Sequence, residues 1–293
     1  LKKLPSGKYR VYINSKLFKG KLNYAELILK GKIKKEILIS TYVCHPSMAN
    51  NELSGPLVSA ALAKYFLSKK LNSKTLRFVF IPETIGSIAY LSKNLKKLKK
   101  NVIAGYNLSC VGDNRKYSYL PTKYGNTISD KAAIKAFKDS KIKYVGYSFL
   151  QRGSDERQYN SPGIDLPIAS IFRTKHGEYP EHHTSLDNFN VVTKQGLLGG
   201  YKIVKKAIEI IMKNYIPKST FLCEPQMSKR GLYPSLSKFV RSNYNLPPRH
   251  LLNFLQYADG TNDLNDISNY TRSSFDHTHN IFKLMLKSKL IKL

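Results

Sequence analysis

Apolar runs typical of buried β-strands alternate with helix-like segments throughout residues 36–214. Parallel strands that are buried on both faces read as continuous apolar runs, and each crossover between them needs a helix. The alternation therefore predicts an α/β domain of three layers (αβα), with a mostly parallel (mixed) sheet between two layers of helices. Strands are predicted at 37–43, 75–81, 102–108 and 166–172, and helices at 56–70, 86–95, 130–139 and 195–214.

The two ends of the chain do not follow this pattern. The N-terminal residues read as two short β segments separated by glycines, at 9–13 and 24–29, a piece too small to have its own core. The C-terminal residues begin with a connector rich in Pro and Ser and end in an apolar stretch that suits a wing strand. Between them, short helices are predicted at 250–257, 263–270 and 276–287. We therefore predict a small β subdomain at 1–35, the α/β domain at 36–217 and a winged-helix domain at 218–293.

The chain has a formal net charge of +30, which raises the question of a polyanionic partner. Only ten of the 49 basic residues are arginines, the side chain that favours recognition of phosphates and bases. The other 39 are lysines spread along the whole chain. We interpret the excess as a solvated basic surface and do not predict a nucleic-acid partner.

Composition also bears on the setting of the protein. Hydrophobic residues make up 42% of the chain and charged residues 23%, values typical of globular proteins. No stretch approaches the roughly 20 uncharged apolar residues that span a bilayer, so we predict no membrane association. The 3 cysteines cannot form a disulfide framework, which favours a reducing, cytoplasmic setting.

His45 and Glu52 follow the first strand of the predicted α/β domain. The loop between them can bring both side chains to one point, and an imidazole nitrogen with a carboxylate oxygen suits a zinc ion. The alternative is that Glu52 stabilises the amino end of the next helix and that His45 only forms a hydrogen bond. The spacing favours neither interpretation over the other.

Two more acids follow strands of the same predicted sheet. Glu83 lies between a proline and a Gly-Ser helix start, where it is placed either to act as a general base or to cap the helix. Asp113 follows the strand at 102–108. Because the carboxyl ends of parallel strands meet at one edge of a sheet, we expect these acids to converge.

Charged residues and histidines are dense in two later segments. Arg152, Asp155 and Arg157 either contribute to a substrate site or take part in structural ion pairs that include Glu156. Adjacent histidines at 182 and 183 are uncommon as mere filler of a loop. Histidines and carboxylates from separate loops are the signature of a hydrolytic metal site. The chain has no GxSxG motif, so no serine is predicted as a nucleophile.

Four ordered motifs, HPSMANNELSGP, IPETIGS, RGSDERQY and HHTSLDN, resemble a bacterial aminopeptidase-like family with a C-terminal winged helix. That family is often found among surface-polysaccharide biosynthesis genes and is related to the zinc aminopeptidase and carboxypeptidase superfamily (clan MH). The resemblance covers essentially the whole chain. In the family a piece like residues 1–35 is an insertion within the peptidase domain, preceded by more peptidase residues. The resemblance therefore implies that an N-terminal part of the catalytic domain is missing or replaced here.

The resemblance also implies roles for individual residues. His45 matches the first zinc-binding histidine of the superfamily, His183 matches the last, and Glu83 matches the general base. Asn51 stands where relatives have an aspartate that bridges two zinc ions, and Thr84 and Ser109 replace further acids. Fewer acids imply one zinc ion instead of two. The implied ligands are His45, Glu52, His183 and Asp113, with His182 as the alternative to His183; the implied substrate-binding or supporting residues are Asn51, Arg152, Asp155, Arg157 and His182.

We therefore predict a zinc-dependent hydrolase of aminopeptidase type that cleaves a peptide or amide bond in a small substrate, with Glu83 as the general base. Two alternatives stay open: a non-catalytic binding protein on a peptidase scaffold, and a DNA-binding regulator that acts through the winged helix. Residues 218–293 carry 11 basic and 5 acidic residues, and the predicted second helix has two acids and no base. This distribution favours docking of a protein partner or a second copy of the chain over DNA binding.

Overall fold

The computed structural model of the protein describes residues 4–69, 72–233 and 246–293. Its strands are β1 (Ala25–Leu29), β2 (Ile33–Tyr42), β3 (Lys74–Ile81), β4 (Val102–Leu108), β5 (Ser118–Leu120), β6 (Val145–Gly146), β7 (Ile168–Phe172), β8 (Lys218–Ser219) and β9 (Ile291–Lys292). Its helices are α1 (Ser54–Leu67), α2 (Ile85–Asn101), α3 (Ile128–Asp139), α4 (Glu156–Tyr159), α5 (Lys194–Lys213), α6 (Pro248–Tyr257), α7 (Leu264–Tyr270) and α8 (Phe275–Lys287).

Seven strands form one mixed sheet in the order β1-β3-β2-β4-β7-β5-β6. The central strands β3, β2, β4 and β7 are parallel to one another, whereas β1 pairs antiparallel with β3 and β5 pairs antiparallel with β7. The four central strands are the four that the apolar runs predict. The short strands β5 and β6 were not predicted, because two or three residues are too few to show a periodicity.

Helices cover both faces of the sheet. Ile37 and Ile39 of β2 pack into the core formed with α1, α3 and α5, whereas Leu38 between them packs with α2 and with Tyr159 of α4. This alternation follows from the opposite directions of successive side chains in a strand. The predicted three-layer αβα fold class is therefore confirmed. In the described part of the chain, no helix combines the length and apolar character that crossing a bilayer requires.

Gly55 allows the amino end of α1 to lie close against the sheet. A Cβ atom at this position would stand 2.4 Å from Thr41 Oγ1 and 2.5 Å from the carbonyl oxygen of Leu108, at the carboxyl ends of β2 and β4. Both distances are too short for any side chain. The glycine therefore brings the start of α1, and the loop before it, onto the edge where the predicted site residues converge.

The N-terminal prediction needs correction. The strand predicted at 9–13 is wrong, because residues 4–24 form neither helix nor strand and are exposed. The segment predicted at 24–29 does form a strand, β1, but it is the edge strand of the main sheet, and the boundary predicted after residue 35 falls inside β2. A buried charge explains this placement: Glu26 of β1 and Glu36 of β2 both contact Arg77 of β3.

Residues 218–293 contain the predicted winged helix. Helices α6, α7 and α8 surround their own apolar core, and β9 pairs antiparallel with β8 to form the wing. The unit also contacts the α/β domain: Lys131 Nζ on α3 lies 2.7 Å from a carboxylate oxygen of Asp266, and the Leu264 amide donates to Asn214 Oδ1 at 2.9 Å. The winged-helix region is thus attached to the domain by polar contacts as well as by the chain.

Candidate active site

The loops that follow β2, β3, β4 and β7 meet at one edge of the sheet, and two of the predicted site residues are in contact there. His45 Nε2 lies 3.6 Å from Glu83 Oε2, and both side chains are 21% exposed. The second carboxylate oxygen of Glu83 accepts a hydrogen bond from Ser154 Oγ at 2.6 Å. Glu83 is therefore fixed on one side by a hydroxyl group and approached on the other by an imidazole, while part of it stays open to solvent.

Cys44 lies beside this pair. Its Sγ accepts a hydrogen bond from the Glu83 amide at 3.2 Å and is 3.2 Å from His45 Nδ1. Burial raises the pKa of the Cys44 thiol, and the Glu83 amide only partly offsets this effect. The side chain therefore stays a thiol at neutral pH and connects the loops that carry His45 and Glu83.

The backbone of Thr84, next to Glu83, has an unusual conformation. Its φ of 61° lies in a region that residues other than glycine rarely adopt. The carboxylate of Asp155 accepts the Thr84 amide at 2.7 Å and the Ser87 hydroxyl at 2.8 Å with the same oxygen. Burial raises the pKa of Asp155 to about 7. Asp155 thus holds the turn that presents Glu83, and its part in a substrate site stays a prediction.

Four histidines form a row along the same edge. The His183 ring stacks on His45 with centroids 5.3 Å apart and on His182 at 3.9 Å, and His176 lies 6.3 Å beyond His182. Of the two adjacent histidines, it is His183 that lies against His45. Burial and, to a smaller extent, the neighbouring His183 lower the pKa of His182 to about 4. Burial also lowers the pKa of His176 to about 4. Both are therefore neutral at pH 7.

Both carboxylate oxygens of Asp113, which is predicted as a metal ligand, accept hydrogen bonds from other residues of the chain. One oxygen accepts the Arg115 amide at 3.0 Å and the Thr174 hydroxyl at 2.7 Å. The other accepts the Thr174 amide at 2.8 Å and Asn50 Nδ2 at 3.1 Å. A carboxylate with four donors around it has no free lone pair for a cation. Asp113 joins the loops after β2, β4 and β7, and the structure does not support its role as a ligand.

Glu52 and Asn51 also hold the loop after β2. Burial raises the pKa of the Glu52 carboxyl, and the nearby backbone amides of His45 and Cys44 only partly offset this effect. Asn51 Nδ2 donates to the Tyr42 hydroxyl at 2.9 Å and to Cys110 Sγ at 3.3 Å. An amide that donates to two buried groups replaces the acid that the resemblance led us to expect. The Asn51 contacts position the loop, and the Glu52 side chain is half-buried beside it.

The described residues do not assemble the predicted zinc site. His45 and His183 are side by side, but no group of three or more His, Cys, Asp or Glu side chains with an arrangement suited to a metal ion occurs in residues 4–69, 72–233 and 246–293. The hydrogen bonds of Asp113 are the physical reason that one predicted ligand is lost. The set His45, Glu52, Asp113 and His183 therefore does not fit a four-ligand zinc centre.

Within the described part of the chain, Arg152 and Arg157 form none of the ion pairs that the dense charges suggested. Arg157 Nη2 donates to Thr84 Oγ1 at 2.6 Å, and the Arg152 guanidinium lies 5.1 Å from the centroid of the Phe149 ring. The acids between them are bound elsewhere. Asp155 holds the Thr84 turn, and the Glu156 carboxylate accepts from the amides of Gly153 and Ser154 and contacts Asn107 and Ser170.

Comparison with known proteins identifies the family. Residues 1–214 match a family model described as "Domain of unknown function (DUF4910)", and residues 215–293 match one described as "winged helix-turn-helix". The chain belongs to the DUF4910 family.

A relative of this DUF4910 chain in Clostridium acetobutylicum carries the provisional name "polysaccharide biosynthesis protein with aminopeptidase-like domain". The two are 38% identical over 290 residues, which are 97% of this chain and 65% of the relative. A crystal structure from the same organism, provisionally titled a peptidase, has 36% identity and a TM-score of 0.73 and covers 92% of this chain and 60% of that one. The chain thus spans less than two thirds of the length of these relatives.

Aminopeptidases of known structure share the fold of the DUF4910 domain at lower identity. A zinc aminopeptidase from Bacillus subtilis superposes with a TM-score of 0.55 at 19% identity, over 63% of this chain and 49% of that one. An aminopeptidase from Aneurinibacillus sp. strain AM-1 gives a TM-score of 0.55 at 21% identity, over 63% and 47%. These neighbours confirm the resemblance to the zinc aminopeptidase superfamily at the level of fold.

Sequence reasoning missed two residues of the DUF4910 site. Ser154, dismissed as a nucleophile, supports Glu83 by a hydrogen bond. Asp187 accepts the amides of Asn50 and Asn51 at 2.7 and 2.9 Å and the Tyr179 hydroxyl at 3.0 Å. Asp187 belongs to the HHTSLDN motif, but the sequence assigns it no role. Nothing in the sequence indicates that two of its partners, Asn50 and Asn51, lie more than a hundred residues earlier in the chain.

Proposed function

We propose that this chain is a hydrolase of aminopeptidase type that cleaves an amide bond in a peptide or in another small amide-bearing substrate. The supporting observation is the Glu83 carboxylate at the carboxyl edge of the sheet, with His45 Nε2 at 3.6 Å and Ser154 Oγ at 2.6 Å. The aminopeptidase-like fold and the name of the C. acetobutylicum relative support the same reaction class.

Glu83 is the general base in this proposal. The hydroxyl of Ser154 occupies one carboxylate oxygen, which directs the other oxygen toward His45 and the solvent. A carboxylate held in this way accepts a proton from a water molecule that attacks the substrate carbonyl, and the same proton then passes to the leaving amine. The Thr84 turn, fixed by Asp155, keeps this oxygen at the sheet edge.

Zinc dependence is a separate part of the proposal. The sequence predicts one zinc ion per chain, and the two imidazoles of His45 and His183 are the groups that favour it. The described residues supply no complete ligand set, so the proton transfers above are assigned only to the residues of the chain. Elemental analysis after zinc loading and dialysis, with His45→Ala alongside, tests this part independently of turnover.

The experiment that tests hydrolysis uses Glu83→Gln and a panel of aminoacyl p-nitroanilides, with and without a chelator. We expect kcat to fall by about 10²-fold or more, since general-base catalysis contributes about 10² to 10⁴ in rate. Glu178→Gln is the matched control, because Glu178 lies in a neighbouring loop and pairs with Lys116 at 3.6 Å on the surface. Turnover by Glu83→Gln equal to that of the wild type would rule out the proposed base.

A second candidate function is ligand binding without catalysis. Asn51 favours it, because an amide engaged with Tyr42 and Cys110 replaces the expected acid, and so does Thr84, whose hydroxyl accepts from Arg157. If this candidate is correct, the folded chain will bind amide-bearing compounds and leave them intact across the whole panel, with zinc added or removed.

The winged helix is proposed as a protein-docking or dimerising module and not as a DNA reader. Base contacts usually come from the amino-terminal part of a recognition helix. In α8 that part lies beside the α/β domain: Asp276 is 3.8 Å from Lys213, and Lys135 Nζ is 5.5 Å from the Phe275 ring centroid. We expect no salt-dependent shift of duplex DNA, and a shift that disappears on deletion of 218–293 would contradict this view.

The setting completes the proposal. Surface-polysaccharide biosynthesis is the context that the resemblance and the name of the relative support. A reducing, cytoplasmic setting is in keeping with the three cysteines, which are all free thiols in the structure.

A further inference from the structure

A cavity of about 790 Å³ lies beside the candidate active site and has no role in the reaction described above. It is lined by residues of the segments 121–125, 148–152 and 157–162. Arg157 lines the cavity and also donates to Thr84 Oγ1. Thr84 directly follows Glu83 in the chain. A ligand in the cavity would therefore lie near the turn that carries the proposed general base.

The cavity is cationic. Its lining contains the basic residues Lys123, Arg152 and Arg157 and no acidic residue. Lys123 is neutralised by Asp165, at 2.5 Å. The two arginines have no carboxylate within ion-pair distance among the described residues, since Asp155 and Glu156 accept hydrogen bonds from other groups. Two guanidinium groups thus face the cavity region with their charge unbalanced.

The guanidinium of Arg157 also has unused hydrogen-bonding capacity. Its Nε is buried and has no hydrogen-bond partner in the described part of the chain. Buried donors in native proteins nearly always have a partner, and an unmade hydrogen bond to a charged group costs more than one to a neutral group. A carboxylate or phosphate, which arginine binds through two parallel hydrogen bonds, is the kind of group that suits a guanidinium without a carboxylate partner.

Aromatic side chains in the same cavity indicate a ring on the ligand. Tyr124 lines the cavity with 76% of its surface exposed, and Lys123 Nζ lies 4.9 Å from its ring centroid. The Phe149 ring carries the Arg152 guanidinium at 5.1 Å from its centroid. The lining also includes the amide of Gln158 and the hydroxyl of Ser148, groups that suit a hydroxylated ring.

The general positive charge of the chain does not explain this arrangement. The excess of basic residues over the whole sequence is carried by lysine, whereas the unbalanced charges of the cavity are two of the ten arginines. Arg77, another of the ten, has two carboxylate partners. The two arginines of this cavity thus differ from Arg77 in having no carboxylate partner among the described residues.

We propose that the cavity binds the anionic end of the substrate, a hydroxylated ring that carries a carboxylate or a phosphate, with Arg152 and Arg157 holding the anion. This inference rests on the proposed function in one respect: the amide to be cleaved lies on the side of the ligand that faces Glu83. The class of substrate is therefore an acidic sugar or sugar phosphate that bears an amide, and not a neutral peptide.

Isothermal titration of the full chain with sodium glucuronate, glucose 1-phosphate and glucose tests the proposal. We expect glucuronate or glucose 1-phosphate to bind at least about tenfold more tightly than glucose, because only the charged probes engage the arginines. Arg152→Gln and Arg157→Gln should each weaken the charged probe about tenfold or more, whereas Arg230→Gln, at a half-buried arginine stacked on Phe221 away from the cavity, should leave it unchanged. The two charged probes decide between carboxylate and phosphate.

Several results would overturn the site. The first is that none of the probes binds, and the second is that glucose binds as tightly as the charged probes. The third is that Arg230→Gln weakens binding as much as the cavity variants do, which would indicate a nonspecific response to net charge. Arg157→Gln also removes the contact with Thr84, so Arg152→Gln, which leaves that contact intact, is the deciding variant. The readout is independent of turnover. Hydrolysis without anion binding refutes the cavity site alone, and anion binding without hydrolysis refutes the proposed function alone.

Discussion

Arg77 and Arg157 place the same side chain in opposite electrostatic surroundings. Arg77, on β3, is 1% exposed and binds Glu36 through Nε at 2.6 Å and Nη2 at 3.1 Å, with Glu26 as a second partner. Arg157, after the loop that carries Asp155, donates to a threonine hydroxyl and lines a cavity without acids. One arginine is neutralised within the fold, and the other keeps its charge at a concave surface.

The comparison shows where the few acids of this chain are used. The chain has 19 acidic and 49 basic residues, so a carboxylate near any arginine is the exception. Glu36 neutralises a buried charge, whereas Asp113, Asp155 and Glu156 bind backbone amides and hydroxyls that shape the sheet edge. What remains at that edge is Glu83, partly open to solvent, next to two arginines with unbalanced charge.

The largest expected effect comes from removing the paired arginine. Arg77→Met leaves the buried Glu36 without its cationic partner, and breaking a buried ion pair in this way costs about 3–5 kcal/mol. We expect this loss in the free energy of unfolding, measured by urea denaturation. Arg152→Met, the same substitution at an unpaired exposed arginine, should change it by no more than about 0.5 kcal/mol. Equal losses in the two variants would mean that pairing does not distinguish these arginines.

The buried carboxyl of Asp155 predicts how the stability of the chain depends on pH. Burial raises its folded pKa to about 7, and an unfolded aspartate titrates near 3.9. Between these values the folded chain holds a proton that the unfolded chain has lost, so the free energy of unfolding falls as pH rises. The stabilisation that Asp155 contributes is fully present below about pH 4 and is lost as the pH rises through 7.

We expect the wild type to lose about 2–4 kcal/mol between pH 4 and pH 7.5 relative to Asp155→Asn, which cannot titrate. Chemical denaturation of both proteins at a series of pH values measures this difference. Taking the difference cancels the other titrating groups, including His176 and His182, whose lowered pKa values change stability in the opposite direction over the same range. Parallel pH profiles would show that Asp155 is ionised in the folded state at all these pH values.

The smallest expected effect concerns the attachment of the winged helix. Lys131→Met removes the contacts of Lys131 Nζ with Asp266 at 2.7 Å and Asp263 at 3.5 Å. Because Lys131 is about one-third exposed, we expect a loss of only about 0.5–1 kcal/mol. The measurement is the urea midpoint together with the rate of proteolysis between the domains. Lys138→Met, an exposed lysine on the same helix, is the control and should match the wild type.

The fold could be predicted largely from the sequence. The four central strands follow from apolar runs, because a strand buried on both faces has little choice of residue type. The three helices of the winged helix follow from their periodicity and caps, such as the box of Asp263 and Asp266 at the start of α7. The edge strand β1 and the strands β5 and β6 could not be assigned correctly, since their place depends on which neighbour they pair with.

The candidate site was predicted in location but not in detail. His45, Glu83 and His183 converge because parallel strands end at the same edge, a consequence of topology that the order of strands and helices already implies. Their catalytic and metal-binding roles stay predictions. The tertiary structure alone decided that Asp113 and Asp155 bind backbone amides, and that Arg152 and Arg157 form no ion pair with any described residue.

The physical reason is the range of the interactions. A sequence specifies which segments are apolar and which side chains carry charge, and this determined the layers of the fold and the residues available at the sheet edge. Whether a carboxylate binds a cation, a ligand or an amide depends on which groups from distant segments lie within about 3 Å of it. Thr174 reaches Asp113 across 61 residues and Asp155 reaches Thr84 across 71, and only the folded chain sets those distances.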